Sequence, residues 1–205
     1  MFDGNFREAV SRRVDPVGES LNRIRVTADV LTVVGVLMAG AAAVVIGNGY
    51  LRWGFVAMLA AALPDLLDGA VAKAAGVTSK RGAFFDSSMD RVSDALIFGG
   101  ISWYLASNEP GRISLLPVAI MAAALITSYL RAKGELLGYD AKGGIMERAE
   151  RYIAISVALV FNQWLIPVLW IMLALTLVTV AQRFTKIWRQ GTAEMRQTPG
   201  TSLRK

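Results

Sequence analysis

Neither cysteine nor histidine occurs anywhere in the 205 residues. The first absence removes disulfides from any account of stability and leaves the redox compartment unread. The second constrains chemistry: a metal site must use oxygen ligands, and a general base must come from Asp, Glu, Lys or Tyr. Charge is missing too, over long stretches. Residues 30–47, 113–130 and 164–180 contain no Asp, Glu, Lys or Arg, whereas a helix in a soluble core carries a polar stripe along one side. Each run approaches the roughly 20 residues needed to cross about 30 Å of hydrocarbon. No small-residue cleavage site follows a short apolar core near the start, so a cleaved signal peptide is not expected.

What is present reads as an all-α integral membrane protein, with six transmembrane helices and an N-terminal amphipathic surface helix. In residues 1–28, Phe2, Phe6, Val10, Val14, Val17 and Leu21 recur every three or four positions among Arg7, Arg12, Arg13, Arg23 and Arg25. That spacing suits a helix lying on the membrane with its cations toward anionic headgroups. Spans are expected near 29–47, 53–72, 90–107, 113–133, 148–162 and 164–184. The last apolar stretch could be one tilted crossing or two, and charge decides for two. With six spans, all of the 22 Lys and Arg except Arg52 and Arg112 fall on the cytoplasmic side, with both termini; a single final span would export the cations of the tail. The core domain is therefore 29–188, in the cell membrane, followed by a polar tail, 189–205, expected to be disordered.

Between the second and third expected spans the chain reads Asp65-Leu-Leu-Asp68-Gly69-Ala-Val-Ala72-Lys73, eight further residues, then Gly82-Ala-Phe-Phe-Asp86-Ser-Ser-Met-Asp90. On helices, Asp65 and Asp68 share a face by a three-residue step, and Asp86 and Asp90 by a four-residue step. Four carboxylates at the end of hydrophobic helices repel one another and lose solvation, so they call for protonation or counter-cations. Mg²⁺ or Mn²⁺, as two ions sharing carboxylates, would supply that charge and clamp a phosphoryl or pyrophosphate group. Gly69 and Gly82 would let backbone approach a phosphate closely. Asp94 and Asp140 read as ordinary acidic residues of a solvated loop.

This segment resembles the motif of the CDP-alcohol phosphatidyltransferases, Asp-x2-Asp-Gly-x2-Ala-Arg-x8-Gly-x3-Asp-x3-Asp, with every spacing kept and Lys73 in place of Arg. Lys73 keeps the charge but lacks the planar fork. The resemblance implies a six-helix membrane enzyme, a homodimer, that displaces CMP from a CDP-linked lipid by an alcohol. Asp65, Asp68, Asp86 and Asp90 would ligate the metal, with Asp90 also the catalytic base. Gly69, Ala72, Lys73 and Gly82 would bind the CDP-lipid, together with Asp29 and Thr32 at the start of the first span.

Downstream, Ser128-Tyr-Leu-Arg131-Ala-Lys133 ends the fourth span, Glu147-Arg148-Ala-Glu150-Arg151 opens the fifth, and Arg183 closes the sixth. Cations at three helix ends suggest a second anionic group besides the pyrophosphate. The region is similar to the phosphatidylinositol phosphate synthases of actinobacteria, with Lys133 in place of Arg and Ala149 in place of Pro. By that similarity Ser128, Arg131, Lys133, Arg151 and Arg183 would hold the phosphate of inositol 1-phosphate, and CDP-diacylglycerol would be the donor. Glycerol 3-phosphate is the alternative acceptor, and an archaeal-type lipid an alternative donor. A non-catalytic cation transporter is the rival of another class. Against it, the carboxylates lie at a membrane surface and no internal repeat appears. Nucleic acid is not an expected partner. Trp53, Trp103, Tyr104, Trp164 and Trp188 fall near span ends, where amphipathic rings settle among headgroups.

Overall fold

The structure, a computed structural model, describes Ser20, residues 27–74 and residues 79–197. The expected amphipathic segment 1–28 thus lies almost wholly outside the described residues, as do 198–205 and the side chains of Asp68, Gly69, Ala72 and Lys73. The described secondary structure is helical throughout, in two compact units that divide after Ser114.

The first unit holds α1 (Ala28–Gly47), α2 (Leu51–Ala74) and α3 (Lys80–Asn108). Thr27 caps α1, its hydroxyl accepting from the Val30 amide at 3.3 Å, and Ser79 caps α3 by accepting from the Gly82 amide at 2.9 Å. These bonds satisfy amides that the helix start leaves without a partner. α1 packs against both α2 and α3, and glycine sets how closely. A Cβ on Gly100 of α3 would meet the Ala43 carbonyl oxygen of α1 at 2.6 Å. Small residues at such crossings are how helices associate in lipid, where apolar burial gives little drive. α3 begins ten residues before its expected start at 90, because Ser79 caps it there.

The second unit holds α4 (Leu115–Leu136), α5 (Arg148–Val160), a 3₁₀ turn (Asn162–Trp164) and α6 (Leu165–Gln197). α6 packs against α4 and α5. Hydroxyls buried between these helices, those of Thr127 and Thr176, donate to the carbonyls of Ala123 and Met172 one turn back, which leaves neither hydroxyl bare in the apolar packing. α6 runs on through Gln197, so the segment 189–197 is helical and the expected boundary of a disordered tail at 189 is corrected. The reason is local: residues 186–197 contain no proline and mostly good helix formers, and several of their side chains are fastened to the α4–α5 loop, as described below.

Among the described residues three helices, Ala28–Gly47, Leu115–Leu136 and Asn162–Arg196, are long and apolar enough to cross a membrane. Their apolar side chains turn outward: Leu37 is 68% exposed and Ile171 59%. Outward apolar surface of that kind belongs in lipid, and the protein is an integral membrane protein. α2 and α3 are long enough but carry charge, and α5, at 13 residues, spans about 20 Å.

The glycine contact gives a paired test. Replacement of Gly100 by Val should lower thermal stability in detergent by about 1–3 kcal/mol by forcing α1 and α3 apart. Gly99, where an added Cβ would have nothing within 4 Å, should accept Ala with no loss and a gain of up to about 1 kcal/mol.

Candidate functional site

Asp65 lies in the second half of α2, directly after Pro64. A proline there has no amide to offer the Ala60 carbonyl, so the turn leading into Asp65 lacks one helical hydrogen bond. Across from it stands Gly35 of α1, whose missing Cβ leaves room: a Cβ would sit 3.4 Å from Asp65 Oδ1. Asp86 and Asp90 lie one turn apart on α3, and all three carboxylates are half-buried. Asp94 continues the same face by another four-residue step and is buried, only 9% exposed. Its reading as a solvated loop residue is corrected, since the charged start of α3 is helix and not loop. α1 therefore packs against both helices that bear the motif carboxylates.

Among the described residues no three acidic side chains are gathered tightly enough to hold a metal ion, and the side chain of Asp68 lies outside them. The donor set is nonetheless all carboxylate oxygen, half-buried and without competing nitrogen or sulfur, which fits a hard divalent cation and excludes a soft one. Two arginines adjoin this set that sequence reasoning passed over. Arg91 Nη1 stands 3.3 Å from Asp90 Oδ2 and donates to the Ser87 carbonyl at 2.6 Å. Arg81 pairs with Asp29 at 3.0 Å, tying the start of α1 to the first turn of α3 beside Gly82. Thr32 is buried and its hydroxyl donates to the Ala28 carbonyl at 3.0 Å. The signal of the two arginines in the sequence was adjacency to motif residues, which pattern matching on carboxylates ignores.

In the second unit the expected phosphate-binding residues separate into two groups. Arg183 is buried, at 4% exposure. Its Nε donates to the Gly143 carbonyl at 2.8 Å, Nη1 to the Thr127 carbonyl at 2.9 Å, and Nη2 to Glu147 Oε1 at 2.7 Å. Arg131 and Arg151 lie within electrostatic reach of it. Arg151 is also buried, and its Nη1 donates to the Met146 carbonyl at 3.4 Å. Ser128 lies on α4 one helical step before Arg131. Lys133 is apart from these: it lines an apolar cavity of about 840 Å³ with Leu130, Phe184 and Trp188. Two residues after Arg131, it falls on another side of α4.

Three comparisons bear on the assignment. The profile of the CDP-alcohol phosphatidyltransferases matches residues 25–182. The chain belongs to the CDP-alcohol phosphatidyltransferase family. By that membership it is a transferase. A phosphatidylinositol phosphate synthase of Mycobacteroides abscessus is 35% identical over 186 residues, covering 86% of this chain and 84% of its own. An archaetidylinositol phosphate synthase of Methanothermobacter thermautotrophicus is 36% identical over 190 residues, covering 90% and 93%. The crystal structure of a Mycobacterium tuberculosis phosphatidylinositol phosphate synthase with CDP-DAG bound matches with a TM-score of 0.81 at 28% identity, covering 86% of this chain and 94% of that one. A second structure of the same phosphatidyltransferase, in complex with manganese and citrate, matches with a TM-score of 0.79, also at 28% identity, covering 85% and 88%.

Asp140 is the solvated loop residue expected, its side chain 62% exposed in the α4–α5 loop. Its carboxylate receives the Lys186 ammonium at 2.7 Å and the Lys142 amide at 3.0 Å, and these bonds, that of Lys186 foremost, hold its carboxyl below the usual carboxylate range. Tyr139 donates its hydroxyl to Glu194 at 2.6 Å, which pushes the phenol above its ordinary value of 10.0. The signs differ. The lowered carboxylate stabilises the fold above its ordinary value and loses that effect as pH falls through its folded value. The raised phenol stabilises below 10.0 and loses the effect as pH rises through its folded value. The tyrosinate absorbance titration of the protein should therefore contain a component above 10.0 that disappears in Tyr139→Phe. Arg183→Met, which leaves Glu147 and two carbonyls without their buried donor, should lower stability by about 3 kcal/mol or more in thermal unfolding.

Proposed function

We propose that the protein transfers the phosphatidyl group of CDP-diacylglycerol to the hydroxyl of inositol 1-phosphate, releasing CMP and forming phosphatidylinositol phosphate. The observation that carries this reading is the motif from Asp65 to Asp90, with every spacing kept and Lys73 its one departure, in a chain whose relatives are named for inositol phosphate products, in bacteria and in an archaeon alike. The solved relative with CDP-DAG bound supports the donor.

Asp65, Asp68, Asp86 and Asp90 would hold two Mg²⁺ or Mn²⁺ ions, a reading supported by the relative in complex with manganese. When bound, such ions neutralise the pyrophosphate and the departing CMP. Asp90 takes the proton of the acceptor hydroxyl as its oxygen bonds to the lipid-side phosphorus and the bond from that phosphorus to CMP breaks. Gly69, Ala72, Lys73 and Gly82 bind the nucleotide end of the donor, with Asp29 and Thr32 nearby. Ser128, Arg131, Arg151 and Arg183 meet the acceptor phosphate, the guanidinium groups through paired donors. Lys133, on its apolar cavity, contributes at longer range. Six crossings, cytoplasmic termini, residence in the cell membrane and a homodimer complete the reading. The distribution of Lys and Arg supports the topology, and the family resemblance supports the dimer.

One relative differs in its donor lipid, since its name is that of an archaetidylinositol phosphate synthase. The test accordingly varies both substrates. Purified protein with Mg²⁺ should release CMP from CDP-diacylglycerol when given inositol 1-phosphate, and neither glycerol 3-phosphate nor a CDP-linked archaeal lipid should replace its counterpart substrate. Asp90→Asn should lower kcat by about 10²- to 10⁴-fold, and chelation of the metal should abolish release until Mg²⁺ or Mn²⁺ is restored. Release with glycerol 3-phosphate alone would move the acceptor, and preference for the archaeal lipid would move the donor.

A further inference from the structure

The loop joining α4 to α5 has no regular structure of its own, and three of its glycines, Gly138, Gly143 and Gly144, have positive φ. Such backbone has little intrinsic stiffness. Many of its polar groups are satisfied by side chains projecting from one face of α6. The Thr179 hydroxyl accepts from the Met146 amide at 2.9 Å, and Arg183 donates to the Gly143 carbonyl at 2.8 Å. Lys186 reaches the Asp140 carboxylate at 2.7 Å and the Lys142 carbonyl at 2.8 Å. Gln190 brackets Asp140, accepting from its amide at 2.9 Å and donating to its carbonyl at 2.8 Å, and Glu194 accepts from Tyr139. These five residues follow one another by three or four positions, which is one stripe of a helix. The loop therefore runs antiparallel along the outer half of α6 like a strap under a row of clasps.

The strap ends at Glu147. That residue caps α5 through a capping box with Glu150 and holds Arg183 through its carboxylate. Arg151 follows one turn later, its amide bonded to the Glu147 carbonyl at 3.2 Å. Any slack in the strap therefore moves Glu147, Arg151 and the ion pair of Arg183 together.

We propose that Lys186, seconded by Gln190, is a positioning residue for the anionic acceptor: by fixing the strap at Asp140 and Lys142 it sets where Arg151 and Arg183 stand, without touching substrate itself. The proposal rests on the acceptor reading given above and adds to it residues outside the family motif. Lys186 is the informative position because its side chain is 42% exposed, so its loss neither opens a cavity nor leaves a buried charge. Lys186→Met keeps the aliphatic stem and removes only the ammonium.

The experiment is steady-state CMP release by the full-length protein, varying inositol 1-phosphate and CDP-diacylglycerol in turn. Lys186→Met should raise KM for inositol 1-phosphate about tenfold, the scale on which small misplacements of binding groups act. KM for the lipid donor and kcat should stay within about twofold, and Lys186→Arg should restore the acceptor KM. Gln190→Leu should shift the same constant in the same direction, which keeps the proposal testable if Lys186→Met is poorly folded. Equal changes in both KM values, a fall in kcat with an unchanged acceptor KM, or no change at all would overturn the positioning role. If the unaltered protein turns over glycerol 3-phosphate instead, the acceptor reading fails, and the same Lys186 comparison made with that acceptor still decides the positioning role.

Discussion

A guanidinium placed among packed apolar helices has to be answered donor by donor, because neither lipid nor a dry core supplies a substitute for water. Arg183 meets that constraint with a carbonyl from α4, a carbonyl from the α4–α5 loop and the carboxylate at the start of α5. Three chain segments are thereby held by one side chain. The rest of the second unit is arranged around this demand: the buried threonines bond back to their own helices, Gly144 packs directly on Thr179, and the Glu147–Glu150 capping box presents the partner carboxylate. Gly134 takes part too, since a Cβ there would stand 2.8 Å from that of Ala141, so a larger residue would lift the loop from α4.

In the first unit the governing constraint is proximity. Glycines at the crossings of α1 with α2 and α3 let backbones approach within the reach of a missing methyl, and the carboxylates are carried on closely packed helices rather than on loops. Such carriers suit a site whose ligands must stay within tenths of an ångström under mutual repulsion. The exposed Asp29–Arg81 pair, by contrast, contributes little to stability. Its effect is to fasten the first turn of α3, where Gly82 of the motif lies.

Helices were legible in the sequence wherever charge was absent, and the four motif carboxylates wherever their spacing matched a helical step. α1, α4 and the start of α6 follow from uncharged runs, and family membership follows from Asp65 to Asp90. The continuation of α6 past 188 was not legible, because its outer half is polar and polarity was read as disorder. The stripe formed by Thr179, Arg183, Lys186, Gln190 and Glu194 carries the helical period, but in polar rather than apolar residues, and periodicity is usually sought in the apolar ones. Asp94 was misread for a related reason: a lone acidic residue has no pattern, and only its neighbours in space reveal whether it is solvated. Lys133 illustrates a different gap, since a match of sequence position carries no information about direction on a helix.

α6 combines two tasks on one rod. Its 33 residues extend about 50 Å, some 20 Å more than the hydrocarbon it would cross, so an apolar inner half continues without a break into the polar stripe. Because the helix is uninterrupted, phase is conserved along it. Inserting or deleting one residue before Thr179 would rotate every clasp by about 100° relative to the apolar face that seats the helix, turning the whole stripe away from the strap at once. Length variation is thus excluded from the inner half of α6 even where almost any apolar side chain would serve, and the tolerance of this helix to change is a matter of residue count before it is one of residue type.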